Sequence, residues 1–158
     1  MDNFTKILKK IFEEEPDKVS IYLLRSNLPD IPITYQTLLY GAAGYAKTYR
    51  EKGILPGDVV ILILQHGIDL IFAFYGAIIH GAVPSIMPFL TEKLLPERYR
   101  ADLVSLISIT QPSGIVTSIE FESEVQSALN PADSVRTVIL SNQVDAPCKP
   151  NFKKFEGI

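Results

Sequence analysis

The spacing of apolar residues along this chain switches repeatedly between helical and extended periods. Phe4, Ile7, Leu8, Ile11 and Phe12 recur every three or four positions, which places them on one helical face. Asp2 or Asn3 is available to cap that helix, and Glu15-Pro16-Asp17 ends it. Residues 19–24 read as a strand, and residues 27–32, rich in Pro, Asn and Asp, read as a polar turn between two strands. Thr34 is placed to cap a helix over residues 35–51 whose inward stripe is Leu38, Ala42, Tyr45, Ala46 and Tyr49, with Gly53 as its stop. Gly41 and Gly44 lie inside this helix, where each costs about 1 kcal/mol relative to Ala. Close packing against a neighbouring element is the expected compensation.

After the turn Pro56-Gly57-Asp58, residues 59–64 are β-branched and apolar without alternation, the mark of a strand covered on both faces and hence of a parallel sheet. A helix over residues 68–80 is apolar nearly all round, stops at Gly81, and leads to a short strand at 82–87, giving a βαβ unit. Beyond Pro88 the pattern gives a loop at 89–96 and a helix at 97–109 with Tyr99, Leu103, Leu106 and Ile107 inward. A strand at 114–117, a short helix at 119–129 and a strand at 135–140 follow. The expected fold is α/β, a layered parallel or mixed sheet with helices on both faces. Residues 1–140 form one such unit, and residues 141–158, with Pro147 and Pro150 and little periodicity, read as a tail, disordered or truncated.

One stretch, residues 59–79, approaches the length of a bilayer span. Gln65, His66, Gly67 and Asp69 interrupt it near the middle, so the better reading is strand, turn and buried helix, with no membrane span.

Composition adds limits. The 158 residues make one domain, and 47% hydrophobic content with mean hydropathy +0.18 is rich for that size. Some apolar surface is therefore expected against further domains or a second copy. A net charge of -3, a pI near 5.4 and scattered Lys and Arg argue against a nucleic-acid partner. Cys148 has no second thiol to pair with, which fits a reducing cytoplasm. The first fifteen residues lack the apolar core of a secretion signal.

Candidate chemistry is sparse. His66 and His80 are too few for a dedicated zinc site, and Cys148 lies far along the chain. Ser85, Ser113 and Ser118 fall near strand ends, yet none stands in G-x-S-x-G. Glu13 to Glu15, Glu120, Glu122 and Glu124 read as solvated helix faces. His80, near a helix C-terminus, is expected to have its protonated form favoured by the dipole. Gly-Lys-Ser and Gly-Lys-Thr never occur, and the glycines are spread over turns and packing sites. No catalytic, cofactor-binding or metal residue is assigned. Residues 83–89, a strand end followed by a loop, are the segment in which to look for a pocket.

Several short blocks occur in a telling order. Glu15-Pro16-Asp17-Lys18-Val19 is similar to a P-D-K-x-A lead-in, and Ile33-Thr34-Tyr35 with Leu38 resembles L-T-Y-x-E-L. Gly53-Ile54-Leu55-Pro56-Gly57-Asp58-Val59-Val60 resembles G-V-x-P-G-D-x-V. Gly76 with Gly81-Ala82-Val83-Pro84 and Pro88 resembles G-x-x-x-A-G-A-V-x-V-P-x-x-P. Together they resemble the start of the AMP-forming acyl-adenylating enzymes, the superfamily of acyl-CoA synthetases, fatty-acyl-AMP ligases and luciferases. The departures are Gln36-Thr37 in place of the usual Glu, His80, Gln65-His66 where Pro-Asn is commoner, and the insert-like residues 89–95.

The resemblance implies the N-terminal α/β subdomain of an AMP-binding domain. Its parent would be an ATP-dependent carboxylate-activating ligase that converts a carboxylic acid, fatty or other, and ATP into acyl-AMP and pyrophosphate. Acyl transfer to a thiol such as CoA would follow, with Mg accompanying ATP. The phosphate loop S-G-T-T-G-x-P-K, the downstream nucleotide-binding Asp and the C-terminal catalytic Lys do not occur in these residues. The expectation is thus a piece that is not catalytic by itself and holds no cofactor, partnered by the remaining domains of its parent or by a second copy. The alternative is a stand-alone, non-catalytic α/β domain that binds a small ligand or a protein at the carboxyl ends of its strands.

Overall fold

The structure is a computed structural model that describes residues 4–90 and 95–152. The chain opens with helix α1 (Phe4–Glu14), followed by an antiparallel hairpin of β1 (Val19–Leu23) and β2 (Ile31–Thr34). Helix α2 (Tyr35–Glu51), strand β3 (Val59–Ile63), helix α3 (Ile68–His80) and strand β4 (Val83–Ile86) come next. Helix α4 (Pro96–Thr110), strand β5 (Gly114–Thr117), helix α5 (Glu122–Ala128) and strand β6 (Thr137–Leu140) complete the order. Four strands pair in parallel in the order β4-β3-β5-β6.

Both faces of this sheet are covered, as the unbroken apolar run of β3 demands. Alternate side chains of a strand point to opposite faces. Val60 and Leu62 enter a core with Tyr45, Tyr49, Phe72, Ala73 and Ala77 of α2 and α3. Ile61 and Ile63 enter another with Tyr99, Leu103 and Ile107 of α4 and Phe121, Val125 and Ala128 around α5. The α/β architecture with helices on both faces is as the sequence pattern requires.

Helix α2 begins where Thr34 accepts a hydrogen bond from the Thr37 N–H at 3.1 Å, and its whole inward stripe is buried. The glycines inside it are explained by close neighbours. A methyl group on Gly41 would collide with the Phe72 ring, and one on Gly44 with the Asp145 carbonyl. That carbonyl belongs to a strap, residues 144–152, which runs along α2. Asp145 takes hydrogen bonds from Lys47 (2.8 Å) and Thr48 (3.2 Å), and the Cys148 N–H bonds to the Tyr40 carbonyl.

Other boundaries shift slightly. The expected helix at 119–129 is a 3-10 turn, Ile119–Phe121, followed by the shorter α5. Strand β6 starts at Thr137 rather than 135, and Leu106 is only half-buried on α4. Of the apolar stripe on α1 only Leu8 is fully buried, while Phe4 and Ile7 are each 46% exposed. The cap expected at Asp2 or Asn3 and the last residues of the expected tail, 153–158, lie outside the described residues. Among the described residues no helix is long and apolar enough to cross a membrane; the stretch 59–79 is divided between β3 and α3.

Candidate functional site

The order of the sheet determines where a crevice opens. From β3 the chain passes through α3 to β4 on one side, and from β4 through α4 to β5 on the other. The connections leaving β3 and β5 therefore diverge to opposite faces of the sheet. At such a point an open parallel sheet presents a gap outside the carboxyl ends of its strands. Here that gap is a cleft of about 490 Å3, lined by Leu64 to Asp69 after β3, Ser118 and Glu120 after β5, and Ser141 after β6.

The strand ends beneath the cleft are tied together. Buried Thr117 donates from Oγ1 to the Ile63 carbonyl at 3.1 Å, joining the last residues of β5 and β3. Gly67 is the N-cap of α3 and has no side chain to bond the first-turn N–H groups. Asp69 occupies that first turn, which suits the positive end of the helix dipole. Desolvation raises the pKa of its carboxyl above the usual range, and the nearby Tyr45 hydroxyl, short of bonding geometry, offsets part of the rise. Tyr45 is 3% exposed, and its hydroxyl has no hydrogen-bond partner among the described residues. Its pKa is pushed up by burial first and by the Asp69 charge second. On the opposite wall Glu120 is held low by its own backbone N–H and by Ser118.

The chemistry of this lining is specific. It offers two carboxylates, an imidazole, an amide and two hydroxyls, but no Lys or Arg. ATP with Mg does not fit these residues alone, because a triphosphate needs a surplus of donors and positive charge and the cleft supplies negative charge. Among the described residues no group of three or more His, Cys, Asp or Glu could hold a metal ion.

The residues singled out from sequence are scattered between this cleft and other places. His66, Ser118 and Glu120 line it. Ser113 and Asp58 lie at the amino ends of the strands, away from it. Asp58 closes the Gly53–Asp58 turn: its carboxylate accepts the Leu55 N–H at 2.9 Å and pairs with Arg136. Burial alone would raise the Asp58 pKa, but these bonds and the nearby Ser113 hydroxyl outweigh it and hold the group low. Gly53 and Gly57 adopt φ of 76° and 86°, the left-handed turn conformation that favours glycine. The G-I-L-P-G-D block is therefore structural.

His80 departs from expectation. It is 6% exposed, and its Nε2–H donates to the Ile54 carbonyl at 2.8 Å. Desolvation, outweighing the Ile54 carbonyl and Asp58, lowers its pKa, so the neutral form is favoured. Residues 83–89 do not line the cleft: Met87 is in the core, Phe89 packs on Phe121 at 4.7 Å between ring centres, and the Pro88 carbonyl accepts from Tyr99. Sequence reasoning missed Gln65, Gly67, Asp69 and Ser141 as a site. The available signal was the polar break at 65–69, which ends a buried strand as well as interrupting an apolar run.

No family model matches the chain. Its sequence is 31% identical over 157 residues to Disco-interacting protein 2 of Drosophila melanogaster, covering 98% of this chain and 9% of that protein. It is 30% identical to 4-coumarate--CoA ligase 3 of Arabidopsis thaliana, over 54% of this chain and 21% of that one. In structure it is similar to a fatty acyl-adenylate ligase from L. pneumophila, with a TM-score of 0.69 and 20% identity over 98% of this chain and 25% of the ligase. The fold is that of the N-terminal subdomain of adenylate-forming enzymes. With the motif order and the relatives above, the chain is similar to the N-terminal part of an AMP-forming acyl-adenylating enzyme, and it spans a quarter or less of those three proteins.

Proposed function

We propose that this chain is the N-terminal part of an ATP-dependent ligase that activates a carboxylic acid, of the acyl-CoA synthetase or fatty-acyl-AMP ligase kind. It serves as scaffold and as one wall of the substrate site, and is not catalytic by itself. The observation that carries the reading is the coincidence of fold and cleft: a sheet like that of an acyl-adenylate ligase opens a crevice at its carboxyl ends. That crevice has polar walls but lacks the positive charge that phosphate chemistry requires. Phosphate-binding groups, Mg and the thiol acceptor, CoA or another, then come with the remainder of a longer protein. The lone Cys148 suits a cytoplasmic setting, and the hydrophobic excess suits burial against further domains. The competing reading, a stand-alone domain that binds a small ligand in the same cleft, draws on the same geometry.

Pyrophosphate exchange with ATP, Mg and a panel of fatty and aromatic acids separates the two. The expected result is exchange by the longer protein and none by the 158-residue chain. Exchange by neither overturns the ligase reading. Exchange by the chain alone overturns the claim that its cleft needs help.

A further inference from the structure

The hydrogen bonds of β4 reveal which of its positions face outward. The Val83 N–H donates to the Asp58 carbonyl at 2.8 Å and the Met87 N–H to the Leu62 carbonyl at 3.0 Å. The register pairs Val83 with Val59 and Ser85 with Ile61. In a parallel ladder successive residues turn their backbone groups to alternate sides. Residues 83, 85 and 87 thus face β3, and residues 84, 86 and 88 face away. Two of those three are Pro84 and Pro88, which carry no N–H. Ile86 is the single donor among them.

Among the described residues β4 pairs only with β3, and Val83 and Ile86 are 42% and 53% exposed. A strand edge this open and apolar ordinarily invites another strand. The opposite edge differs, since Ile139 on β6 is 2% exposed and shielded by the molecule itself. Proline is tolerated in sheets where its missing donor faces outward from an edge, which is how both prolines are placed.

We propose that Pro84 and Pro88 make β4 the terminal strand of this sheet, closed to main-chain pairing with a second copy of the chain or with a strand of a longer parent. A strand laid against β4 would meet one donor where the ladder needs three, and its facing carbonyls would lose their bonds to water without replacement. Association of the domain with other β-structure then proceeds through side-chain surfaces, not through this edge.

Residue-resolved amide hydrogen exchange tests the proposal without altering the protein. In the chain, and in any longer protein that contains it, the Ile86 amide is expected to exchange freely at every concentration while the Met87 amide is protected. Protection of Ile86, constant or rising with concentration, overturns the proposal. The double variant Pro84→Val with Pro88→Val restores both donors and is expected to self-associate about tenfold or more tightly than the original chain by analytical ultracentrifugation. A double variant that is folded by circular dichroism and no more associated than the original also overturns it. If the variant does not fold, Ile86 exchange alone decides.

Discussion

The two faces of the sheet are built on different principles. On one, α2 and α3 approach so closely that glycines are required. A methyl group on Gly76 would lie 2.5 Å from the Tyr45 Cβ and 2.9 Å from the Ala42 carbonyl. This face is pinned by buried polar bonds, the Tyr49 hydroxyl to the Ala73 carbonyl at 3.0 Å and His80 to the Ile54 carbonyl. On the other face, α4 and the short α5 are held off by large side chains: Phe89, Phe121 and Tyr99 form a chain of rings with centres 4.7 and 5.5 Å apart. One face is limited by how near two backbones come and the other by how well rings fill a gap, so the first should resist growth and the second truncation.

Truncation on the ring face carries the largest expected effect. Phe121 is 5% exposed and touches both neighbouring rings, so Phe121→Ala should cost about 3–5 kcal/mol in urea unfolding. Phe121→Leu, which keeps most of the volume, should cost less than about 1.5 kcal/mol. Equal losses for the two would show that the rings do not space the helices.

Growth on the glycine face comes next. Gly76→Ala should destabilise by about 1–3 kcal/mol despite the better helix propensity of alanine, because the obstacle includes backbone that cannot rotate away. Ala128→Val, adding volume on the ring face at the end of α5, should cost less than half as much. A stabilised Gly76→Ala chain would dissolve the contrast.

How much of this was legible in the sequence follows the same division. The α2 and α3 boundaries and the packing role of Gly41 and Gly44 could be read because periodicity, cap and glycine position report on one short stretch at a time. The unalternating run of β3 likewise announced a strand covered twice. The 3-10 turn before α5 and the strap on α2 left no such mark, since Phe121 and Asp145 take their conformation from residues far away in sequence, Phe89 and Thr48. The cleft was illegible for the same reason. Gln65, Asp69, Ser118 and Ser141 belong to three connections, and nothing local says that β5 will lie beside β3.

The strap offers a smaller test of the glycine face from its outer side. Thr48, 4% exposed, shares its one hydroxyl hydrogen between the Gly44 carbonyl (3.1 Å) and the Asp145 carboxylate (3.2 Å), and accepts from the Asp145 N–H. Thr48→Val keeps the shape and removes these bonds, so a loss of about 1–2 kcal/mol is expected, with faster amide exchange at Asp145. A loss without the exchange change would assign the effect to the helix, not to the strap.

The smallest effect at neutral pH, and the one that grows as pH falls, belongs to His80. Its folded pKa lies below the ordinary 6.5 because burial disfavours the cation; Arg50 acts in the same direction, while the Ile54 carbonyl and Asp58 act against it. The unfolded chain therefore binds the proton more readily than the folded one. The stability that neutral His80 contributes is complete above pH 6.5 and is lost as pH falls from there through the folded pKa. His80→Gln, which keeps an N–H donor for Ile54 but cannot titrate, should match the original chain most closely near neutrality and lose less stability on acidification from pH 7 to pH 5. Parallel pH profiles for the two would place the acid sensitivity of the α2/α3 face elsewhere, whereas a flatter variant profile would show that its polar pins, unlike the rings opposite, hold only while one imidazole stays uncharged.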